Sequence, residues 1–253
     1  MSKRASANKV LNRDVFRSTT VEEKQEKPIE IKPVTAKSDN QKLLLRTIKN
    51  KIITFVFGSA GSGKSFISTA MGIDGVARGD FNKLVVTRPV VTACNEQLGF
   101  LPGGEGDKLY PFIRPIYWII DELLEPDQAK KFKAEKIEVI PLGFCRGLTF
   151  NDKYILADEM QNAPIELIHM LLTRIGKNSK LVLNGDMSQC DLPLDMRGGL
   201  SKMASVLRSD SEVGVVEFQR SDIVRNPIIT RILDLLEASE KPRSLEQFYA
   251  EDY

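Results

Sequence analysis

Eight consecutive residues, Gly58-Ser59-Ala60-Gly61-Ser62-Gly63-Lys64-Ser65, satisfy the pattern G-x-x-x-x-G-K-[ST] at every fixed position. The chemistry of that pattern is phosphate binding. Its glycines open positive φ and let the backbone approach an anion closely. The loop amides, with the N-terminus of a following helix behind them, form an anion-binding concavity. Lys64 adds a point charge for the β- and γ-phosphates of a nucleoside triphosphate. The Ser65 hydroxyl suits magnesium, a hard ion that takes oxygen ligands. All eight residues are candidate nucleotide contacts, and ATP with Mg2+ is the expected pair of ligands.

A second set of candidates follows the apolar run Tyr154-Ile155-Leu156-Ala157, which ends in Asp158 and Glu159. Carboxylates at the C-terminal end of a parallel strand lie on the ligand edge of an open α/β sheet. There Asp158 is placed to hold magnesium, and Glu159 to polarise an attacking water as general base. Another predicted strand, Lys180-Leu181-Val182-Leu183, leads into Asn184-Gly185-Asp186-Met187-Ser188-Gln189. Two readings of this loop stand side by side: Gln189 senses the γ-phosphate or the attacking water, or the segment is an ordinary Gly-Asp turn.

These groups meet only if the chain builds a sheet beneath them. Residues 52–57 are continuously apolar, as expected of a strand covered on both faces, and 64–77 read as a helix. Further strands are predicted at 83–87, 137–140, 154–157, 180–183 and 213–217. Further helices are predicted at 41–48, 110–124, 127–134, 164–174, 199–207 and 227–238. Alternating strands and helices argue for α/β: a three-layer parallel sheet with helices on both faces.

Residues 1–38 carry nine Lys/Arg, one aromatic (Phe16) and no sustained apolar period. They read as a flexible N-terminal tail, too polar to offset the entropy of ordering. The first part is basic, with Lys3, Arg4, Lys9, Arg13 and Arg17 against Asp14, which would also suit a nucleic-acid-binding arm. The expected organisation is a tail over 1–38, a nucleotide-binding domain over 39–240 and a C-terminal tail over 241–253.

Bulk properties narrow the classes. A net charge of +2 favours no polyanionic partner by itself. Three scattered cysteines without a C-x-x-C pair argue against a zinc cluster and suit a reducing compartment. A single histidine, His169, removes His-based metal sites and a Ser-His-Asp triad; it reads as a surface position. No apolar run approaches the ~20 residues of a membrane span, and the start lacks a secretory signal. A cytoplasmic protein with no membrane partner is the expectation.

Taken in order, several segments resemble the PhoH-like ATPases. They are the phosphate loop, Val86-Thr87-Arg88-Pro89, Leu98-Gly99-Phe100-Leu101-Pro102-Gly103, Arg146-Gly147, Asp158-Glu159-Met160-Gln161-Asn162, Leu172-Thr173-Arg174-Ile175-Gly176, Gly185-Asp186-Met187-Ser188-Gln189 and Asp222-Ile223-Val224-Arg225-Asn226-Pro227. The resemblance runs from about residue 41 to 236. The third and last segments are the specific ones, since a phosphate loop alone fits many families. The resemblance implies a RecA-type P-loop NTPase core similar to the first motor domain of superfamily 1 helicases, with ATP binding and hydrolysis. It implies an adenine contact for Gln41 and nucleic-acid contacts for Thr87 and Arg88. Met160 departs from the small residue usual after the acidic pair. With only short segments outside the core, the ribonuclease domain that some relatives carry is not expected here.

Such a core needs positive charge from outside the loop to hydrolyse fast, and an arginine finger contributes about 10³–10⁵ in rate. One motor domain lacks the partner domain that supplies it in helicases. A homo-oligomer, with a hexameric ring favoured, would complete each site from a neighbour. Arg225 and Arg174 are the candidate fingers. Arg88, Arg114 and Arg146 are candidates for an RNA or pore surface. Tyr110, Phe112, Tyr117 and Trp118 could stack bases, but their helical spacing reads as core. The expected function is a magnesium-dependent ATPase acting on RNA or single-stranded nucleic acid. The alternative is a nucleotide-gated binding module with little turnover.

Overall fold

The computed structural model describes residues 28–89 and 105–223, and beyond them 228, 231 and 232. In chain order the regular elements are α1 (Asp39–Asn50), β1 (Ile53–Phe57), α2 (Lys64–Ala77), β2 (Lys83–Thr87), α3 (Glu105–Leu123), α4 (Pro126–Glu135), β3 (Ile137–Val139), β4 (Lys153–Ala157), α5 (Ile165–Leu172), β5 (Lys180–Gly185), α6 (Gly199–Leu207) and β6 (Val213–Glu217), with short 3-10 turns between. The strands form one sheet in the order β3-β2-β4-β5-β1-β6. Every pairing is parallel.

Period-two alternation sorts the strand residues between two cores. Val56, Leu84, Val86, Tyr154, Leu156 and Val182 pack with Leu44 and Ile48 of α1, Ile67 and Ile73 of α2, and Ile116 and Ile120 of α3. Phe55, Val85, Ile155, Leu181 and Leu183 face the other way, onto Ile168 and Leu171 of α5 and Leu200 and Ala204 of α6. The sheet is therefore the middle of three layers, as the apolar runs imply.

Strand order matters more to the site than helix packing. β5 lies between β1 and β4, pairing Phe57 with Gly185 and Ala157 with Leu183. All three strands thus end at one edge. β1 and β4 stand two strand spacings apart there, about 10 Å.

Three boundaries differ from expectation. The N-terminal tail does not extend to residue 38. Ile29, Ile31 and Val34 pack on the first core, and the Lys32 amide donates to the Leu123 carbonyl at 2.9 Å. Three apolar residues at nearly alternate positions suffice for an extended strap, where a search for helical period sees only polarity. β5 runs two residues past 183, which buries Asn184. α5 stops at Leu172, so Arg174 lies beyond its helix. The predicted tails over 1–27 and 241–253 lie outside the described residues, as do the 98–103 motif and nearly all of 227–238.

Candidate nucleotide site

The phosphate loop leaves β1 at Gly58, whose φ is +146°. A Cβ there would lie 2.5 Å from the Phe218 Cβ, so the turn accepts only glycine. Gly63, at φ +90°, caps α2 and leaves the first amides of the helix without side-chain partners at its N-cap. The Lys64 ammonium folds back onto the loop and donates to the carbonyls of Gly58 and Ser59. Those bonds hold the loop in the curved shape an anion needs.

Gln41 supports the loop from behind. Its amide nitrogen donates to the Ser62 carbonyl at 3.0 Å, and its oxygen accepts from the Lys37 amide at 2.7 Å. The structure thus places Gln41 against the loop backbone and ties the strap to it.

Across the cavity, the Ser65 hydroxyl donates to Asp158 Oδ1 at 3.0 Å. The Asn184 amide, at the end of β5, donates to the same oxygen at 3.2 Å. Asn184 is held in turn by the Ser68 hydroxyl, 3.1 Å from its Oδ1, and the Ser68 carbonyl accepts from the Tyr154 hydroxyl at 2.8 Å. A buried chain of hydrogen bonds therefore runs from the core to the Asp158 carboxylate. Burial pushes the Tyr154 phenol far up, so it remains a donor.

Glu159 adopts φ +58°, a left-handed conformation that costs a non-glycine residue about 1–3 kcal/mol. That turn exposes its carboxylate to the cavity. Its two oxygens are gripped separately: Arg88 Nη2 donates to Oε1 at 2.9 Å and Gln161 Nε2 to Oε2 at 2.7 Å. Gln161 Oε1 accepts from the Asp186 amide at 3.0 Å, and Asp186 Oδ2 accepts from the Ala60 amide of the phosphate loop at 2.8 Å.

The resulting cavity is about 570 Å³ and is lined by Lys64, Ser65, Glu122, Asp158, Glu159, Asn184, Asp186 and Gln189, among others. That volume suits a nucleotide-sized ligand. The residues fit magnesium: a hydroxyl and a carboxylate oxygen converge, and no group of three or more His, Cys, Asp or Glu side chains among the described residues is arranged to hold a metal ion by itself. An ion with so few protein ligands takes the rest from phosphate and water, which is magnesium's habit.

The structure thus brings together the phosphate loop, Asp158, Glu159 and Gln189. It corrects other expectations. Thr87 is 1% exposed, its hydroxyl beside the Cys145 sulfur at 3.7 Å, so it presents nothing to a nucleic-acid backbone. Burial raises the Cys145 thiol, only partly offset by that contact, and keeps it protonated. Arg88 points inward at the acidic pair. Arg146 is exposed.

Arg174 accompanies the residues that precede β4 and β5: the Phe150 amide donates to its carbonyl, and its guanidinium reaches the Leu148 carbonyl at 3.4 Å. A strand of five residues then separates it from Asp158, about 15 Å or more. It cannot serve its own chain's cavity. Arg225 lies outside the described residues.

Of the α3 aromatic residues expected in the core, Tyr117 packs against the first core, Trp118 is 59% and Tyr110 51% exposed, and the Phe112 side chain lies outside the described ones. Arg114 lies over the Trp118 ring at 4.7 Å, and Tyr110 leans on Tyr117 at 6.1 Å. Ile113, Ile116 and Ile120 fill the buried face instead.

Sequence reasoning missed Asn184, Gln161 and Asp186 as site residues. Each lies inside a motif already recognised, close to a residue chosen. The available signal was that a polar residue ending an apolar strand must find partners when buried.

With this geometry in hand, comparison with known proteins is informative. The model of a family described as "PhoH-like protein" matches residues 33–237. A PhoH-like protein of Synechocystis sp. is 36% identical over 208 residues, covering 82% of this chain and 63% of that one. Protein PhoH of Escherichia coli (strain K12) is 36% identical over 204 residues, covering 79% and 57%. The chain spans about three-fifths of the length of these curated relatives. Among solved structures, the large terminase of a thermophilic bacteriophage, in complex with ADP, superposes with a TM-score of 0.50 at 13% identity, over 78% of this chain and 49% of that one. That likeness shows the fold, a P-loop nucleoside-triphosphatase core.

Proposed function

The chain belongs to the PhoH-like protein family, and from that premise and the cavity's geometry we propose that it binds ATP with magnesium and hydrolyses it. One observation carries the reading: Ser65 and Asp158 meet at 3.0 Å with Glu159 on the same cavity wall. The loop amides and Lys64 bind and orient the triphosphate. Ser65 and Asp158 would hold magnesium, which supplies charge neutralisation for the transferring phosphoryl group. Glu159 accepts a proton from the attacking water, and Gln189 senses the γ-phosphate.

Of the arginines considered, Arg88 is engaged by the acidic pair and Arg174 lies at the far end of the sheet. We therefore propose a homo-oligomer, with a hexameric ring favoured, in which a neighbour's arginine completes the site. Specific activity then falls on dilution. RNA or single-stranded nucleic acid is the proposed polymer, and the Tyr110–Arg114–Trp118 face is better suited to it than Thr87. An exposed ring beside a guanidinium can stack a base and meet its phosphate.

The deciding experiment is steady-state phosphate release. Glu159→Gln should abolish turnover and spare binding of a fluorescent ATP analogue. Equal, slow release by both proteins would instead make the chain a nucleotide-gated binding module. Trp118 is the sole tryptophan, so quenching of its emission by oligouridine at low salt reports the polymer directly. Absence of any quenching removes that part of the reading.

A further inference from the structure

We propose that Arg88 is the positioning residue of this site: one guanidinium nitrogen serves as resting counter-ion to Asp158 and as the anchor that aims Glu159. The inference rests on the reading of Asp158 and Glu159 as a metal-binding and water-activating pair. It assigns Arg88 a role different from the polymer contact that the helicase resemblance implies.

Placement comes first. Arg88 is the residue after β2, and the register pairs Thr87 with Ala157. Arg88 is therefore level with Asp158 by strand pairing alone. Its backbone is held on one side by Leu142, whose amide donates to the Arg88 carbonyl at 3.1 Å, and through Thr87 on the other, whose carbonyl accepts from the Asp158 amide at 3.0 Å. A side chain launched from so fixed a position has little freedom to swing outward.

Its contacts then separate two tasks. Nη2 lies 3.3 Å from Asp158 Oδ2 and 2.9 Å from Glu159 Oε1, with the Arg88 side chain only 17% exposed. That shielding keeps the attraction to Asp158, 4% exposed, strong, while Glu159, 43% exposed, is more screened and depends on the hydrogen bond itself. With Gln161 on the other oxygen of Glu159, an unbroken chain of contacts leads from the Ala60 amide through Asp186, Gln161, Glu159, Arg88 and Asp158 to the Ser65 hydroxyl. Its two ends are groups that a metal–triphosphate would claim: a loop amide at one, the Ser65–Asp158 pair at the other. Loading releases the ends and leaves the middle. Asp158 exchanges a guanidinium for a cation, while Glu159 stays clamped between Arg88 and Gln161.

Because a single nitrogen makes both contacts, a positive charge at this point is the requirement, and a lysine should meet part of it. The test is a series of Arg88→Met and Arg88→Lys with two readouts. In hydrolysis, Arg88→Met should lower kcat by about 10–100-fold, the range for groups that orient a site's ligands, with KM for ATP within a factor of about two. Arg88→Lys should restore a substantial part.

In nucleotide-free protein, Mn2+ titrated by electron paramagnetic resonance should bind Arg88→Met several-fold more tightly than wild type, because the acidic pair has lost its counter-ion. Arg88→Lys should fall between. Unchanged kcat together with unchanged Mn2+ affinity overturns the proposal. So does loss of RNA stimulation alone with the basal rate intact, which would return Arg88 to the polymer. If wild type itself releases no phosphate, the hydrolase reading fails, while the Mn2+ series still decides whether Arg88 balances the pair.

Discussion

Replacing Asn184 with leucine tests the claim that Asp158, the proposed magnesium ligand, is positioned from within the core. Asn184 is 1% exposed and bridges Asp158 Oδ1 at 3.2 Å to the Ser68 hydroxyl at 3.1 Å. Leucine has the same number of side-chain heavy atoms, so no cavity forms, and its bulkier methyl groups add overpacking to the cost. The bond to the Asp158 carboxylate is worth about 1.5–3 kcal/mol and the one from Ser68 about 0.5–1.5 kcal/mol, together about 2–4.5 kcal/mol. Burying the apolar side chain recovers about 1 kcal/mol. The expected loss in urea unfolding of nucleotide-free protein is therefore at least about 1–3.5 kcal/mol.

The functional effect should be separate and larger. With one of its orienting donors gone, Asp158 is free to rotate, and the magnesium concentration that half-saturates ATP binding should rise about 10–100-fold. Tyr154→Phe is the control. It removes a hydroxyl two contacts further from the carboxylate and should cost about 1 kcal/mol in stability, with magnesium half-saturation unchanged. If Asn184→Leu loses stability yet keeps the wild-type magnesium response, Asn184 is merely structural and the argument from buried donors to metal affinity is wrong.

Two other perturbations probe the scaffold. The Asp222 carboxyl is pushed up by burial but held below its usual range overall by hydrogen bonds from Asn40, Ser38 and the Gln219 amide. Its stabilising contribution is therefore full above the unfolded carboxyl's pKa and fades as pH falls through the lower folded value; the stability gap between wild type and Asp222→Asn should be flat above about pH 5 and close below about pH 4. Lys180 donates to the carbonyls of Ile48, Lys49 and Lys51 at the C-terminal end of α1, at 2.6, 3.1 and 2.6 Å. Lys180→Met should destabilise the fold by about 1–3 kcal/mol in urea; a loss below about 0.5 kcal/mol would mean that water replaces the ammonium there.

The sheet and both halves of the cavity were legible in the sequence because each depends on local pattern. A phosphate loop must follow a strand and precede a helix, and 64–77, 83–87 and 213–217 fall where apolar period and glycine punctuation put them. The strap over 28–38 was not legible, because an isolated Ile-x-Ile-x-x-Val pattern has no meaning until a surface exists to receive it. Two aromatic residues of α3 failed for the converse reason. Ile113, Ile116 and Ile120 already supply a buried stripe, joined at its margin by Tyr117, so Tyr110 and Trp118, further round the helix, are left outside.

Arg88 shows the same limit from the side of function. From the order of motifs it belongs with a polymer surface, since Thr87-Arg88-Pro89 resembles a helicase segment and an arginine after a strand can point either way. Which way it points depends on a neighbour that local sequence does not name. β2 pairs with β4 in a register that sets Thr87 beside Ala157, so the next residue of each strand is Arg88 or Asp158. Strand pairing between segments 70 residues apart thereby turns two locally unremarkable strand ends into an ion pair. In a parallel sheet the residues just past the strand ends are brought level by register, so their charges are to be read across strands before they are read along the chain.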